Sequence, residues 1–217
     1  MIMKINNKNN AVLIKRSPFL GGTINTPSDK SISHRCLILG ALCIGETKIQ
    51  NLLSSEDIRA TIYALREFGA KIIEDKEKNL VTVHGVGIGG LFQPKKNIYL
   101  GNSGTSARLL MGLISSNLVE VEFEGDKSLS ARPMGRVIEP LSEMGLEILN
   151  GNSGKLPIRL RGSSLPIPIN HKLKVPSAQV KSALMFSALN IKGKSIITEP
   201  IRTRDHTERL FKLFGAN

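Results

Sequence analysis

A short polar stretch, residues 27–35, brings an ammonium, hydroxyls and a guanidinium to the start of an apolar run. Its basic residues are Lys30 and Arg35, with Ser31 between them. The spacing of the apolar residues that follow predicts a helix, and the serine or aspartate before Lys30 can cap its first turn. Free backbone N–H groups and the positive end of the helix dipole then lie beside side chains that suit a phosphate or carboxylate. The alternative is an ordinary capped surface helix with solvated basic residues.

A second candidate is the Gly/Ser turn at residues 101–105, which also precedes an apolar run. Its glycines let the backbone approach a ligand, and Asn102 and Thr105 bring polar groups to the helix start. No Lys-Ser or Lys-Thr pair follows the second glycine, so the turn is not a Walker A loop. Taken alone, it is weak evidence for a ligand site, because Gly/Ser turns are common.

Two arginines near this turn have alternative interpretations. Arg132 precedes a proline, which favours an extended backbone and can aim the guanidinium at a carboxylate. It could equally be a loop arginine in solvent. Arg108 lies near the start of the predicted helix, where it is either a ligand contact or a buried structural ion pair.

A third polar helix start, residues 176–182, repeats the cap pattern with neutral donors. Its Ser177 and Gln179 suit hydroxyls or phosphate oxygens. Arg204 belongs to the polar start of the last predicted helix. His206, nearby, is interpreted as a capping or surface histidine rather than a catalytic base.

The three helix starts recur at a constant interval. Arg35, Arg108 and Lys181 are separated by 73 residues in each case (108 − 35 and 181 − 108). A second type of helix in each unit ends at a glycine, where a C-cap prefers one. These glycines are Gly69, Gly145 and Gly215. The pattern indicates one supersecondary unit used three times.

Strand-like runs between and after these helices predict an order near β-α-β-α-β-β in each unit, and therefore an α/β fold. The predicted units are residues 21–95, 96–170 and 171–217, and the third stops before its last two strands. We therefore expect pseudo-threefold symmetry, an incomplete third unit and a natural chain that continues further. The helix N-termini would then converge at one positive end of the lobe, which suits a polyanion.

Composition narrows the class of protein. The chain has 217 residues, a formal charge of +12 and 41% hydrophobic residues, which indicates a globular protein with affinity for anions. Nucleic acid is a weak candidate partner, because only 4% of the residues are aromatic and none is Trp.

Cys36 and Cys43 lie on one predicted helix, too far apart for a disulfide and too few for a structural zinc site. No apolar run approaches a membrane span, and we expect a cytoplasmic protein that binds no metal and no membrane.

These motifs resemble those of the EPSP synthase family, the 3-phosphoshikimate 1-carboxyvinyltransferases. The resemblance is carried by residues 27–35, 100–105 with Arg108, 132–134, 177–183 and 203–208. They occur in the expected order, and the long Asp-Lys-Ser and Arg-Asp-His-Thr-Glu forms resemble the more divergent bacterial branch. Ser28 replaces the glycine more usual there, which leaves the contacting residues intact.

The resemblance implies transfer of the enolpyruvyl group of phosphoenolpyruvate to the 5-hydroxyl of shikimate 3-phosphate, a step of chorismate and aromatic amino-acid biosynthesis. The products are 5-enolpyruvylshikimate 3-phosphate and phosphate. The family's reaction proceeds by addition and elimination through a tetrahedral intermediate, without a cofactor.

The resemblance also implies site residues by matching position, with Lys30 as the catalytic residue that helps proton transfer. The implied shikimate 3-phosphate contacts are Lys30, Ser31, Arg35, Ser177, Ala178, Gln179 and Arg204. The implied phosphoenolpyruvate contacts are Lys30, Asn102, Gly104, Thr105, Arg132 and Gln179. Gly104 matches the glycine that leaves room for glyphosate, so a glyphosate-sensitive site is expected.

Family members are about twice as long as this chain and fold as two lobes that close on the ligands. By resemblance, residues 1–20 belong structurally with the second lobe, and residues 21–217 form the first. The family's catalytic Asp and Glu lie in the second lobe. We therefore expect this chain alone to bind shikimate 3-phosphate weakly and not to turn over. Its partner would be that second lobe, in an enzyme that is monomeric when complete.

Two alternatives stay open. The first is the related enzyme that acts on UDP-N-acetylglucosamine, whose reactive-cysteine loop is not seen here. The second is a non-catalytic module that binds anions or nucleic acid and has lost the chemistry. The intact Lys30, Arg35, Arg132 and Gln179 argue against such decay.

Overall fold

The computed structural model describes residues 4–6, 11–13, 16, 19, 21–150 and 154–216. Strands β1 (Lys4–Asn6) and β2 (Ala11–Leu13) form an antiparallel pair. The prediction that residues 1–20 belong with a second lobe falls largely on residues outside the described ranges. It stays a prediction.

The first unit is built on a three-stranded antiparallel sheet. Its elements are α1 (Lys30–Leu42), β3 (Ile44–Gln50), α2 (Glu56–Glu67), β4 (Lys71–Asp75) and β5 (Leu80–Val86). The strand order is β3-β5-β4. Helix α1 begins as predicted, because the Asp29 carboxylate accepts a hydrogen bond from the Ile32 N–H at 2.7 Å. Lys30 and Ser31 therefore lie in its first turn.

The second unit is the most complete of the three in the described part of the chain. Its elements are β6 (Ile98–Tyr99), α3 (Gly104–Ser115), β7 (Glu120–Glu124), α4 (Lys127–Ser130), α5 (Gly135–Glu143), β8 (Glu147–Asn150) and β9 (Ile158–Arg161). The sheet order is β6-β7-β9-β8, with β6 parallel to β7 and the other pairs antiparallel. The short helix α4, which the sequence did not predict, immediately precedes Arg132.

The third unit has a two-stranded parallel sheet. Its elements are β10 (Asn170–Lys172), α6 (Ala178–Ala188), β11 (Ile196–Thr198) and α7 (His206–Leu213). The strand–helix–strand–helix order of β10 to α7 matches that of β6 to α5, apart from the extra helix α4. The predicted α/β class is confirmed. Strand β2, which precedes the first predicted unit, pairs with β1 and not with β3.

Helices α1, α3 and α6 form the centre of the molecule, and α3 packs against both of the others. The closest approach is at Gly112 of α3, where a Cβ atom would lie 2.2 Å from the Ala183 carbonyl oxygen of α6. Leu37 of α1, Leu109 of α3 and Leu184 of α6 are completely buried in one hydrophobic core. Because α3 and α6 pack at backbone distance and α1 packs against α3 in the same core, the N-terminal ends of the three helices have fixed relative positions.

Candidate functional site

A cavity of about 570 Å³ opens where the starts of α1, α3 and α6 meet. Its lining comprises Lys30, Asp57, Asn102, Gly104, Thr105, Arg108, Arg132 and Gln179. All of these residues except Asp57 and Arg108 were predicted phosphoenolpyruvate contacts, and Lys30 and Gln179 were predicted to contact both ligands. The predicted convergence of helix N-termini is therefore present, and three of the lining side chains are cationic.

Gln179 and Arg108 join the second and third units across this cavity. The Gln179 amide donates to Thr105 Oγ1 at 2.9 Å, and Arg108 Nη1 donates to Gln179 Oε1 at 3.1 Å. Arg108 also donates to the Gly104 carbonyl oxygen at 3.1 Å. Burial, followed by repulsion from Arg132 and Arg136, lowers the pKa of Arg108. Arg108 is half-buried and bonded to neutral acceptors, and no ion pair is found for it among the described residues. It lines the cavity, and its contact with a ligand stays a prediction.

Arg132 is held by the short helix that precedes it. Its guanidinium donates to Asn102 Oδ1 and, at 3.3 Å, to Ser128 Oγ of α4. A Cβ atom at Gly104 would lie 2.8 Å from Arg108 Nη1 and 3.0 Å from Arg132 Nη1. The glycine therefore lets two guanidinium groups approach the start of α3.

Lys30 has an ion-pair partner that sequence reasoning missed. Its Nζ lies 2.6 Å from Asp57 Oδ2 in the first turn of α2. Acidic residues are common in the first turn of any helix, so the sequence contains no signal that singles out Asp57. The Lys30 side chain remains about half exposed and available to a ligand.

A second cavity of about 530 Å³ adjoins the first and shares Gln179 with it. It is lined by Pro176, Ser177, Ala178, Gln179, Arg202, Thr203 and Arg204. Arg204 Nη1 donates to Ser31 Oγ at 3.4 Å, so the start of α1 borders this region as well. Four predicted shikimate 3-phosphate contacts therefore lie around one opening, with a fifth beside them.

Arg35 lies deeper than the sequence suggested. Its guanidinium is almost completely buried and donates to Thr207 Oγ1 at 2.6 Å, to Ser182 Oγ at 2.7 Å and to the Ser31 carbonyl oxygen at 2.9 Å. Burial, followed by repulsion from Arg204, lowers its pKa to about 10. Its hydrogen bonds tie α1 to α6 and α7, directly beneath Ser31.

Lys181 does not line either cavity, although it shares the 73-residue spacing with Arg35 and Arg108. Its ammonium is buried and lies 2.7 Å from Glu199 Oε2 and 2.6 Å from Glu208 Oε1. Burial alone would lower the pKa of Lys181, but its hydrogen bonds to the two carboxylates outweigh burial and raise it. The repeat therefore predicts equivalent positions in the three units for these residues, but not equivalent roles for their side chains.

Comparison with known proteins identifies the family. Residues 14–217 match the family described as EPSP synthase (3-phosphoshikimate 1-carboxyvinyltransferase). The chain belongs to the EPSP synthase family. The 3-phosphoshikimate 1-carboxyvinyltransferase of Novosphingobium aromaticivorans is 52% identical over 91% of this chain and 44% of the relative. That of Zymomonas mobilis is 48% identical over 94% of this chain and 45% of the relative.

Solved EPSP synthase structures agree with this assignment. The enzyme from Acinetobacter baumannii superposes with a TM-score of 0.85 and 42% sequence identity, over 90% of this chain and 44% of that one. The chain thus spans about half the length of the EPSP synthases it matches. The family and the α/β lobe predicted from the motifs are confirmed. The ligand-contact roles of individual residues stay predictions.

Across the described ranges, no group of three or more His, Cys, Asp or Glu side chains is placed to hold a metal ion. Among the helices the structure describes, none is long and apolar enough to cross a membrane.

Proposed function

We propose that this chain supplies the shikimate 3-phosphate and phosphoenolpyruvate contacts of an EPSP synthase. In the full-length enzyme, the enolpyruvyl group of phosphoenolpyruvate is transferred to the 5-hydroxyl of shikimate 3-phosphate, with release of phosphate. The observation that carries this proposal is the pair of adjoining cavities that share Gln179. Two neighbouring anion sites suit two anionic substrates that must react with each other.

The cavity between α1 and α3 is assigned to phosphoenolpyruvate. Lys30, Arg108 and Arg132 supply positive charge, and the Asn102–Thr105 turn supplies neutral donors at the start of a helix. A guanidinium suits a carboxylate or phosphate because it presents paired donors. We assign the proton-transfer role to Lys30, whose half-exposed side chain lines this cavity.

The adjoining cavity is assigned to shikimate 3-phosphate. Ser177, the N-cap of α6, and Arg204 are suited to its phosphate, and Ser31 faces the same opening through its contact with Arg204. Arg35 is assigned to the same ligand by the family resemblance. Its three internal hydrogen bonds support a role in fixing Ser31 and the start of α1 beneath that ligand.

Calorimetric titration of the chain with shikimate 3-phosphate tests the proposal. We expect saturable binding that neither inorganic phosphate nor shikimate reproduces, and no response to UDP-N-acetylglucosamine. Arg204→Gln should weaken binding by roughly tenfold, the equivalent of one charged hydrogen bond. Arg209→Gln is the matched control, because it removes the same charge from an exposed position on α7 outside both cavities. Equal losses in the two variants would contradict the assignment.

Two further assays address turnover and inhibition. Mixing the chain with both substrates should release no phosphate, as the sequence resemblance predicts for this length of chain. Glyphosate should compete with phosphoenolpyruvate for the cavity beside Gly104. Measurable phosphate release, or additive binding of glyphosate and phosphoenolpyruvate, would contradict these two expectations.

A further inference from the structure

His34 begins a buried chain of hydrogen bonds that connects three helices. The residue lies on α1, four positions after Lys30, and is completely buried. Its Nδ1 lies 2.7 Å from Thr61 Oγ1 of α2, which lies 2.7 Å from Ser106 Oγ of α3. Ser106 Oγ in turn lies 2.5 Å from the hydroxyl of Ser103, the N-cap of α3. His34 lines neither cavity, and the proposed reaction does not use it.

The protonation state of His34 gives this chain of hydrogen bonds a direction. Burial lowers the pKa of His34 to about 4, so the ring is neutral near pH 7 and carries one N–H. Nε2 is buried and has no hydrogen-bond partner among the described residues. A proton on Nε2 would leave an unpaired buried donor, whereas a proton on Nδ1 is donated to Thr61.

An obligatory donor at one end orients the hydroxyls that follow. A serine or threonine hydroxyl both donates and accepts, so a chain of hydroxyls alone can run in either direction. With His34 donating, Thr61 can donate to Ser106 at 2.7 Å or to the Asp57 carbonyl oxygen at 3.5 Å, and the shorter contact favours Ser106. Ser106 in turn donates to Ser103. The Ser103 hydroxyl is then an acceptor, and it also accepts the Ser106 N–H at 3.2 Å as a helix cap must.

The chain of hydrogen bonds ends beside the cavity assigned to phosphoenolpyruvate. Ser103 lies between Asn102 and Gly104, both of which line that cavity. Ser106 Oγ is also 3.3 Å from the Asp57 carbonyl oxygen, at the start of α2. The chain of hydrogen bonds does not extend to the shikimate 3-phosphate cavity around Ser177 and Arg204.

We propose that His34 is a positioning residue, which acts through Thr61 and Ser106 to hold the Ser103 cap and the ligand-facing turn at residues 102–105. The inference rests on the proposed function for its choice of ligand. It predicts that loss of the His34 donor weakens the binding of phosphoenolpyruvate and leaves the binding of shikimate 3-phosphate nearly unchanged. A purely structural role would weaken the binding of both ligands together.

Amide hydrogen exchange tests the connection without any ligand. In His34→Leu, an apolar replacement of similar size, exchange at residues 102–106 should accelerate by about tenfold, as expected for one lost hydrogen bond. His34→Asn places an amide donor near the position of Nδ1 and should restore slow exchange. Thr61→Val removes only the middle hydroxyl and should accelerate exchange as much as His34→Leu does. If His34→Leu does not fold, Thr61→Val takes its place in the test. Unchanged exchange at residues 102–106 in a folded Thr61→Val protein would overturn the proposal.

Titrations of the same variants with phosphoenolpyruvate and with shikimate 3-phosphate give the second readout. We expect about fivefold to tenfold weaker phosphoenolpyruvate binding in Thr61→Val, less than twofold change for shikimate 3-phosphate, and recovery in His34→Asn. Equal weakening of both ligands would overturn the positioning role. If neither ligand binds the unsubstituted chain, the proposed function fails, while the exchange measurements still decide whether His34 holds the turn.

Discussion

Lys30 Nζ and Asp57 Oδ2 are 2.6 Å apart, so the ammonium assigned to proton transfer is paired with a carboxylate from a different helix. Both groups line the same cavity. The Asp57 carboxylate neutralises part of the positive charge that attracts an anionic ligand. A phosphate or carboxylate that enters the cavity must compete with Asp57 for Lys30, which disfavours anions that make no other contacts.

Replacement of Asp57 by asparagine should make the cavity less selective. Removing the carboxylate frees the Lys30 ammonium, so inorganic phosphate should bind roughly fivefold more tightly, which corresponds to about 1 kcal/mol. Stability should change by less than about 1 kcal/mol, because the pair is partly exposed. Titration with phosphate measures the effect, and Glu56→Gln, a neighbouring exposed carboxylate, is the control for net charge. Equal affinity of the asparagine variant and the unsubstituted chain would contradict this interpretation.

Gly104→Ala should damage ligand binding without unfolding the chain. The new methyl group would lie 2.8 Å and 3.0 Å from the ends of Arg108 and Arg132, and these guanidinium groups must move. Gly104 is the first residue of α3, a position where alanine is well tolerated. We expect phosphoenolpyruvate binding to weaken by roughly tenfold, comparable to the loss of one charged hydrogen bond.

Gly135→Ala is the matched control for this prediction. Gly135 is likewise the first residue of a helix, α5, and its Cβ atom would meet only the end of the Glu139 side chain at 3.5 Å. Its alanine variant should bind both ligands normally. Loss of binding in Gly135→Ala, or none in Gly104→Ala, would show that the crowding of the two arginines is not the cause.

The helix starts were predictable because their signals are local. Caps and apolar periodicity predicted helices at residues 31–44, 105–115 and 178–189, and the structure has α1, α3 and α6 within two residues of those bounds. The side-chain partners were not predictable in this way. Asp57 meets Lys30, and Arg35 meets Ser182, across distances in sequence that only the tertiary packing closes.

Lys181→Met should destabilise the chain without changing either cavity directly. The buried Lys181 ammonium neutralises Glu199 and Glu208, and its removal leaves two carboxylates facing each other. We expect a loss of about 3 kcal/mol in the free energy of unfolding, as for other broken buried ion pairs. Urea denaturation measures it. Lys174→Met breaks an exposed pair with Glu139 and should cost less than about 1 kcal/mol. Similar losses in both variants would refute the buried-pair interpretation.

Stability should fall as the pH decreases from 6.5 towards 4, because His34 is buried in its neutral form. Burial, the largest influence, lowers the folded-state pKa of His34 from its usual 6.5 to about 4. In this window the unfolded chain binds a proton that the folded chain excludes, so acid favours unfolding. The full effect is about 3 kcal/mol, of which about 2 kcal/mol should be lost between pH 7 and pH 5.

Asparagine at position 34 separates this effect from other acid titrations. His34→Asn keeps a donor towards Thr61 and cannot take up the proton, so its urea-unfolding free energy should decrease less between pH 7 and pH 5. Three carboxyl groups, those of Glu46, Glu120 and Glu199, have basic partners, and their pKa values are lowered, away from the window between pH 5 and pH 7. These groups titrate identically in both proteins. The difference between the two slopes therefore isolates His34. Parallel slopes would mean that the imidazole takes up a proton in the folded state, and that Nε2 then has a partner or reaches water.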